Sequence, residues 1–275
     1  MIEKYAYAKI NLTLEIGKKR PDGYHDLTSI MARATLADKV TLSRNDIGCI
    51  RFSSTDKTIP QEDSLCAKAA KLYFDAKGIS GEGVDIHLEN NIPTASGMGG
   101  GSADAAATIE CLELLFGELH ADVRQKLAVS LGADVAFCFN KKSRMCRGIG
   151  DEITELECAS LDGLWLVISK VGEKLSTGKV YSDFDAFGST LDSHNHEAVI
   201  NALKAGDIKA LAGSVFNDFE SVVFASSPEV KEERERLISG GALGVVMSGA
   251  GPTLVAFFDD KEKAEQCGKV YKLIT

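Results

Sequence analysis

The chain has 275 residues, which predicts one large domain or two modest ones. Its 44% hydrophobic and 26% charged residues are ordinary for a globular protein, so intrinsic disorder and a collagen-like structure are excluded. The net charge of −9 argues against a nucleic-acid-binding module but allows a local phosphate site.

The cysteine content and the length of the apolar runs indicate the cellular compartment and whether the chain spans a membrane. The cysteines form no Cys-x-x-Cys pair, which argues against a zinc site or a disulfide framework and predicts reduced thiols in a cytoplasmic protein. No run approaches the roughly 18 apolar residues of a membrane span, so we expect no membrane partner.

The first half of the chain predicts a mixture of strands and helices. Apolar residues alternate from Ala8 to Ile16 and predict a half-buried strand, followed by a turn at Pro21-Asp22-Gly23. Further strands are predicted at Leu27–Thr35, Lys39–Ser43, Cys49–Ser53, Val84–Leu88 and Val135–Phe139. Helices are predicted at Ser64–Lys77, Ser102–Phe116 and Val123–Leu131.

The second half has the same α+β character. Strands are predicted at Leu164–Ile168 and, as a pair, at Ala242–Met247 and Thr253–Phe258. Helices are predicted at Lys174–Phe184, His196–Ala205, Pro228–Ile238 and Lys261–Leu273. We place a boundary between two lobes near residue 152, which gives an N-terminal lobe of residues 1–152 and a C-terminal lobe of residues 153–275.

The most informative segment is a glycine-rich loop, Pro-Thr-Ala-Ser-Gly-Met-Gly-Gly-Gly-Ser-Ala-Asp, at residues 93–104. Four glycines within five residues let successive backbone N–H groups converge, and the loop leads into a helix start that attracts anions. Ser102 could cap that helix or contact a phosphate or its metal. The alternative is a plain strand-to-helix turn. The letters match neither a Walker A loop nor a dinucleotide fingerprint.

Other candidate residues are weaker when taken one by one. Lys9 and Asn11 share one face of the first strand and could point into a cleft, although an exposed polar face is the simpler interpretation. Asp134 ends a Gly-Ala-Asp segment and is either a cap or turn residue or a general base. Tyr24 and His25 follow the first turn, where loops often bind ligands.

A second glycine turn, Ser248-Gly249-Ala250-Gly251-Pro252, joins the last two predicted strands. It is either a simple hairpin or a segment that closely approaches the first loop or its ligand.

In this order the segments resemble the GHMP kinase superfamily. The central loop is similar to that family's phosphate loop, with Met98 in place of leucine. The specific matches are Asp-Gly-Tyr-His at residues 22–25 and Gly-Ala-Asp-Val at residues 132–135. The resemblance implies an α+β, two-lobed fold: an N-terminal lobe of the type shared with ribosomal proteins and elongation factors, a C-terminal ferredoxin-like lobe, and the active site between them.

The resemblance also implies roles for particular residues. Asp134 matches the catalytic base and Lys9 the lysine that orients the acceptor hydroxyl. Asn11 and Thr177 would contact the substrate, and Tyr24, His25 and Tyr181 would form a cytidine pocket. The ATP phosphates would bind Pro93, Thr94, Ala95, Ser96, Gly97, Met98, Gly99, Gly100, Gly101, Ser102 and Ala103.

The implied reaction is the ATP- and Mg²⁺-dependent phosphorylation of a small molecule, cytidine diphosphate methylerythritol, by a monomer or homodimer without nucleic-acid or membrane partners. Three alternatives stay open. The acceptor could be another small alcohol, such as homoserine or a mevalonate derivative, although Tyr24 and His25 suit a pyrimidine ring. The implied N-terminal lobe is also compatible with RNA binding, and the negative net charge argues against this alternative. The third alternative is a relative that binds nucleotide without catalysing the reaction, and the presence of Lys9 and Asp134 argues against it.

Overall fold

The computed structural model describes residues 1–139, 142–150, 152–173, 175–188 and 194–274. The chain forms two compact units, each assembled from several segments. The first unit contains Met1–Ala8, Leu36–Pro93 and Gly99–Asn140, and the second contains Lys9–Thr35, Thr94–Met98 and Lys141–Thr275. The predicted boundary at residue 152 stays a prediction.

The first unit combines strands with four helices. Its strands come from the start of β1 (Ile2–Lys19), the end of β2 (His25–Asn45), β3 (Ile50–Ser54) and β4 (Gly83–Glu89). β4 pairs antiparallel with the second half of β2 and parallel with β3. The helices are α1 (Leu65–Lys77), α2 (Gly100–Phe116), α3 (Ala121–Leu131) and α4 (Val135–Cys138).

Small side chains bring α2 close to its neighbours. Ala103, Ala105, Ala106 and Ala107 of this helix are all buried, and Tyr73 of α1 is buried beside it with its hydroxyl donating to the Gly117 carbonyl oxygen at 2.5 Å. Burying the apolar side of α2 fixes the position of its first turn, which is the end of the glycine-rich loop.

The strands predicted at Leu27–Thr35 and Lys39–Ser43 are confirmed, and they are joined in one continuous strand, β2. One prediction for these segments is wrong. The run Val135–Phe139 is not a strand, because Val135–Cys138 is helical and the Cys138 N–H donates to the Asp134 carbonyl at 3.2 Å. A short apolar run does not distinguish a buried strand from a buried helical turn.

The second unit contains a four-stranded antiparallel sheet in the order β11-β7-β10-β9. Its strands are β7 (Trp165–Lys170), β9 (Gly244–Met247), β10 (Thr253–Phe258) and β11 (Val270–Tyr271). β10 is buried along its whole length, as expected of a central strand covered on both faces. The predicted pairing of the last two long strands is confirmed.

Shorter strands of the second unit pair with β1 and β2. β5 (Arg144–Arg147) pairs with β2 and with β6 (Glu152–Glu155). β8 (Phe216–Asn217) pairs with β1, and β12 (Leu273–Ile274) pairs with β2.

The helices of the second unit are α5 (Thr177–Phe187), α6 (His196–Ala205), α7 (Ile208–Ser214), α8 (Glu220–Ser226), α9 (Pro228–Ser239) and α10 (Lys261–Cys267). The predicted closing helix is therefore too long, because α10 ends before Gly268 and two short strands follow. Lys174, where one helix was predicted to begin, lies outside the described residues.

The sequence did not predict α7, α8 or the short strands β5, β6 and β8, which carry too few residues for a clear period. Within the described ranges, no helix is long and apolar enough to cross a membrane.

Candidate functional site

The first half of the glycine-rich loop, residues 94–98, belongs to the second unit and is held by contacts with distant segments. Lys170 donates from Nζ to the Thr94 carbonyl at 2.7 Å, and the Lys9 N–H donates to the Met98 carbonyl at 2.9 Å. Ala95 and Gly97 have φ angles of +53° and +76°. A positive φ at alanine costs about 1–3 kcal/mol, so the surrounding contacts impose this curled backbone.

The second glycine turn lies directly against this half of the loop. Ser248 Oγ donates to the Gly97 carbonyl at 3.3 Å. A Cβ added at Gly97 would lie 2.5 Å from the Ser248 carbonyl oxygen. Both interpretations of the second glycine turn therefore hold. It is a hairpin between β9 and β10, and it also lies close to the glycine-rich loop.

Asn217 and Asn11 fix the second glycine turn. Asn217 donates from Nδ2 to the carbonyls of Met247 and Gly249 at 2.7 and 2.8 Å. The Gly249 N–H donates to Asn11 Oδ1 at 3.0 Å. Asn217 is 1% exposed, and its importance could not be derived from an isolated asparagine in the sequence.

Lys9, Asn11 and Thr13 form a buried polar row on β1. Lys9 is 5% exposed and Asn11 1% exposed, so the simpler interpretation of an exposed polar face is wrong. Lys9 Nζ donates to Asn11 Oδ1 at 3.1 Å, and Asn11 Nδ2 donates to Ser29 Oγ at 2.7 Å. This series of hydrogen bonds orients the Lys9 ammonium group, and an oriented ammonium group can bind a negatively charged ligand.

The second half of the loop belongs to the first unit and forms the start of α2. Gly99 precedes the helix with a φ of +65°, and the helix begins at Gly100. Ser102 therefore lies within the first turn and does not cap it. The first-turn N–H groups of a helix lack intrahelical acceptors and favour a phosphate group.

The Gly132–Asp134 turn lies near Ser102 in the same unit. A Cβ added at Gly132 would be 3.9 Å from Ser102 Oγ. Asp134 is half-buried at the residue before α4, and within the described part of the chain its side chain makes no capping hydrogen bond to that helix. Asp134 therefore lies in a turn, as one interpretation predicted, without capping α4 through its side chain. Its role as a general base stays a prediction.

A buried carboxyl pair underlies the start of α2. Asp38 of β2 is 1% exposed and accepts from the N–H groups of Asn91 and Ile92 at 2.5 and 2.7 Å. Asp104 of α2 hydrogen-bonds Asp38, and burial, reinforced by the charge of Asp38, raises the pKa of Asp104 well above its usual value. Burial raises the pKa of Asp38 as well, so the two carboxyl groups share a proton. Sequence reasoning missed Asp38, which precedes the loop by more than 50 residues.

The predicted cytidine-pocket residues are partly brought together. His25 is buried and its ring stacks on Tyr181 with centroids 5.0 Å apart and planes at 27°. Tyr24 is 65% exposed, and Thr177 is exposed at the first residue of α5. A hydrogen bond of 2.7 Å joins His25 Nε2 and Asp185 Oδ1, and this contact was not anticipated.

The residues that the structure describes offer no protein cage for a metal ion. Among the described residues, no group of three or more histidine, cysteine, aspartate or glutamate side chains is arranged to hold a metal ion. Mg²⁺ usually keeps several waters and takes one or two protein ligands together with substrate phosphates. The Ser102 hydroxyl at the helix start fits such a contact.

The chain is similar to known proteins in both sequence and structure. The family models described as GHMP kinases N terminal domain and GHMP kinases C terminal match residues 64–142 and 199–270. These stretches lie on either side of the predicted boundary at residue 152.

Two curated relatives carry the name 4-diphosphocytidyl-2-C-methyl-D-erythritol kinase. The protein from Clostridium novyi (strain NT) is 36% identical over 269 residues, which cover 97% of this chain and 94% of that protein. The protein from Alkaliphilus metalliredigens (strain QYMF) is 38% identical over 262 residues, which cover 94% of this chain and 88% of that protein.

Two kinases are among the solved structures with similar folds. A crystal structure of 4-(cytidine 5'-diphospho)-2C-methyl-D-erythritol kinase matches with a TM-score of 0.83 and 31% identity, over 100% of both chains. Homoserine kinase from Cytophaga hutchinsonii matches with a TM-score of 0.75 over 100% of this chain and 94% of that one, and its 19% identity indicates a shared fold alone.

Proposed function

The chain belongs to the GHMP kinase family of small-molecule kinases, and we propose that it phosphorylates the C2 hydroxyl of 4-diphosphocytidyl-2-C-methyl-D-erythritol with ATP. The observation that carries this choice of substrate is the 36% identity along 97% of the chain to a protein of that name. The reaction would yield the 2-phosphate, an intermediate of isoprenoid precursor synthesis.

The stacked rings of His25 and Tyr181 support the cytidine-containing substrate. Aromatic rings bind a planar base through stacking, whereas homoserine and mevalonate offer no ring to stack. Tyr24, exposed on the adjoining turn, would supply a further ring once the base is bound. Asn11 and Thr177 are proposed to contact the methylerythritol or its phosphates.

Phosphoryl transfer depends mainly on positioning and on neutralising charge. We assign the ATP phosphates to residues 93–103, where curled backbone and a helix start offer N–H groups. Asp134 would accept the proton of the attacking hydroxyl, and Lys9 would orient that hydroxyl and stabilise negative charge. Bound Mg²⁺ would neutralise phosphate charge, with Ser102 as a protein contact and phosphate oxygens and water as the other ligands.

The cellular setting and assembly follow the same proposal. The seven cysteines all lie within the described residues and form no disulfide there, which supports a reducing, cytoplasmic compartment. The enzyme would work as a monomer or homodimer on a small-molecule substrate.

The test is the identity of the product. Purified protein is incubated with ATP, Mg²⁺ and, in separate reactions, the cytidine diphosphate compound, homoserine and mevalonate. We expect a product one phosphoryl group heavier from the cytidine diphosphate compound alone, with fragmentation placing the new phosphate on C2. Turnover of homoserine or mevalonate without turnover of the cytidine compound would establish the alternative substrate.

A further inference from the structure

Asp185 touches the candidate base-binding pocket through His25. His25 is the first residue of β2 and is 6% exposed, and its Nε2 lies 2.7 Å from Asp185 Oδ1. The other carboxylate oxygen of Asp185 pairs with Lys19 Nζ at 2.5 Å. These residues all belong to the second unit.

Tyr181 and Asp185 act on the same imidazole because they lie four residues apart on α5. Residues at this spacing project from the same face of a helix, one turn above the other. One turn of α5 therefore stacks a ring on His25, and the next turn presents a carboxylate to its edge.

This geometry determines which ring nitrogen of His25 carries hydrogen. The hydrogen bond from Lys19 is the main cause that lowers the pKa of Asp185, so this carboxylate stays ionised and can accept but not donate. Nε2 must then carry the hydrogen, and in the neutral ring Nδ1 keeps its lone pair. The second nitrogen of His25 is an acceptor.

We propose that Asp185 determines base specificity by holding His25 in the form whose Nδ1 accepts a hydrogen bond from the exocyclic amino group of cytosine. Uracil has a carbonyl oxygen at that position, which would face the lone pair of Nδ1 and repel it. This inference rests on the proposed function, because it assigns the cytidine end of the substrate to His25. Asp185 is a positioning residue, since it acts through His25.

A purely structural role predicts a different outcome. If Asp185 merely ties α5 to β1 and β2 through Lys19 and His25, its loss weakens every ligand equally. If Asp185 sets the hydrogen on His25, its loss weakens cytosine ligands selectively. The ratio of two affinities therefore separates the two roles.

The experiment measures binding of cytidine 5'-diphosphate and uridine 5'-diphosphate by calorimetry to the full chain. We expect the unmodified protein to prefer the cytidine ligand at least about tenfold, the value of one well-made hydrogen bond. Asp185→Asn keeps the shape of the side chain, but the amide can either donate a hydrogen bond to His25 Nε2 or accept one from it. We therefore expect the preference for the cytidine ligand over the uridine ligand to fall to within about threefold. The control Asp183→Asn, on the same helix but paired with Lys179, should keep the full preference.

The outcomes separate this inference from the proposed function. An unmodified protein that binds neither ligand would refute the proposed substrate itself. A cytidine preference that survives in Asp185→Asn, or that disappears equally in Asp183→Asn, would refute the role of Asp185 alone.

A second measurement tests the proposal without any substitution of Asp185, so it does not depend on whether such a variant folds. Heteronuclear NMR of the imidazole nitrogens in the unmodified protein, with the His25 signals assigned through His25→Gln, should show hydrogen on Nε2 and a bare Nδ1. Hydrogen on Nδ1 would overturn the proposal.

Discussion

The two halves of the glycine-rich loop contain similar residues but are stabilised in different ways. Residues 94–98 are fixed from outside, by Lys170, Lys9 and the turn at Ser248. In the second half, residues 99–104, Gly99 precedes α2 and the other residues form the start of this helix, so their position follows from the helix and its buried carboxyl pair.

Glycine is therefore needed for different reasons along one run. At Gly97 the positive φ and a backbone oxygen 2.5 Å from an added Cβ both exclude a side chain. At Gly100 the nearest atom to an added Cβ is a methyl group of Ile92 at 3.3 Å. Gly97 is therefore needed for the fold, whereas Gly100 is needed only as part of a helix start. Gly99, with a φ of +65° just before α2, also favours glycine.

The largest expected effect comes from the chemistry beside the second half. Asp134→Asn should lower kcat by at least about 100-fold, because the amide cannot accept the hydroxyl proton. The Kd for ATP should stay within about twofold, since no phosphate contact is removed. Steady-state kinetics and equilibrium nucleotide binding measure the two effects separately. Near-normal turnover would remove Asp134 from the reaction and leave the second half without a catalytic partner.

The next effect tests the external support of the first half. Gly97→Ala should destabilise the protein by about 2–6 kcal/mol, the sum of a left-handed alanine and an overpacked contact with Ser248. It should also weaken ATP binding, because the curled backbone must shift. Urea unfolding and nucleotide titration provide the measurements.

Gly213→Ala is the matched control for that change. Gly213 lies in α7, has no atom within 4 Å of an added Cβ and has no positive φ. Alanine there should be neutral or stabilising by up to about 1 kcal/mol. A Gly97→Ala variant as stable as this control would show that the turn at Ser248 yields readily, and the contrast between the two halves would disappear.

A third effect concerns Glu220, which holds the backbone next to the turn at Ser248. Glu220 Oε1 accepts from the Met247 N–H at 2.8 Å, and burial raises the pKa of Glu220 to about 7. The folded state therefore binds this proton more tightly than the unfolded state. The contribution of Glu220 to stability is complete below pH 4.5 and is lost as the pH rises to about 7, by roughly 3 kcal/mol.

Glu220→Gln should remove this pH dependence while keeping an acceptor for Met247. The difference in unfolding free energy between variant and unmodified protein should shift in favour of the variant between pH 5 and pH 8. Urea unfolding at several pH values measures this difference. A pH-independent difference would mean that Glu220 ionises normally and that its contact with Met247 does not titrate.

The contrast between the halves also shows what the sequence could predict. The helix of α2, the paired strands β9 and β10 and the loop itself follow from residue patterns within short windows. The contacts of Asn11 with Gly249 and of Ser248 with Gly97 join positions more than 150 residues apart. No local pattern contains such a contact, so the external support of the first half appeared in the sequence as one of two open alternatives.

Burial of polar residues was the second limit. The alternation in β1 predicted an exposed face for Lys9 and Asn11, but both faces of this strand segment are covered. Asp38, Asn217 and Asp185 are single polar residues in ordinary contexts, and their importance depends on partners supplied by the fold. The short helix α4 was mistaken for a strand because four apolar residues carry no period. The resemblance of the Gly-Ala-Asp-Val motif still predicts Asp134 as the base in spite of that error, and this role stays a prediction.

The smallest effect completes the comparison. Gly100→Ala adds a methyl group that points toward Ile92 and Asp38, 3.3 and 3.7 Å away, and Gly100 has helical backbone without a positive φ. The gain in helix propensity, about 1 kcal/mol, should roughly offset the tight contact with Ile92, so stability should change by less than about 1 kcal/mol. ATP affinity should stay within about threefold, because the N–H groups of the first turn keep their direction. A loss as large as that of Gly97→Ala would mean that both halves need glycine for the same reason, close approach of the bound phosphates, and that external support does not distinguish them.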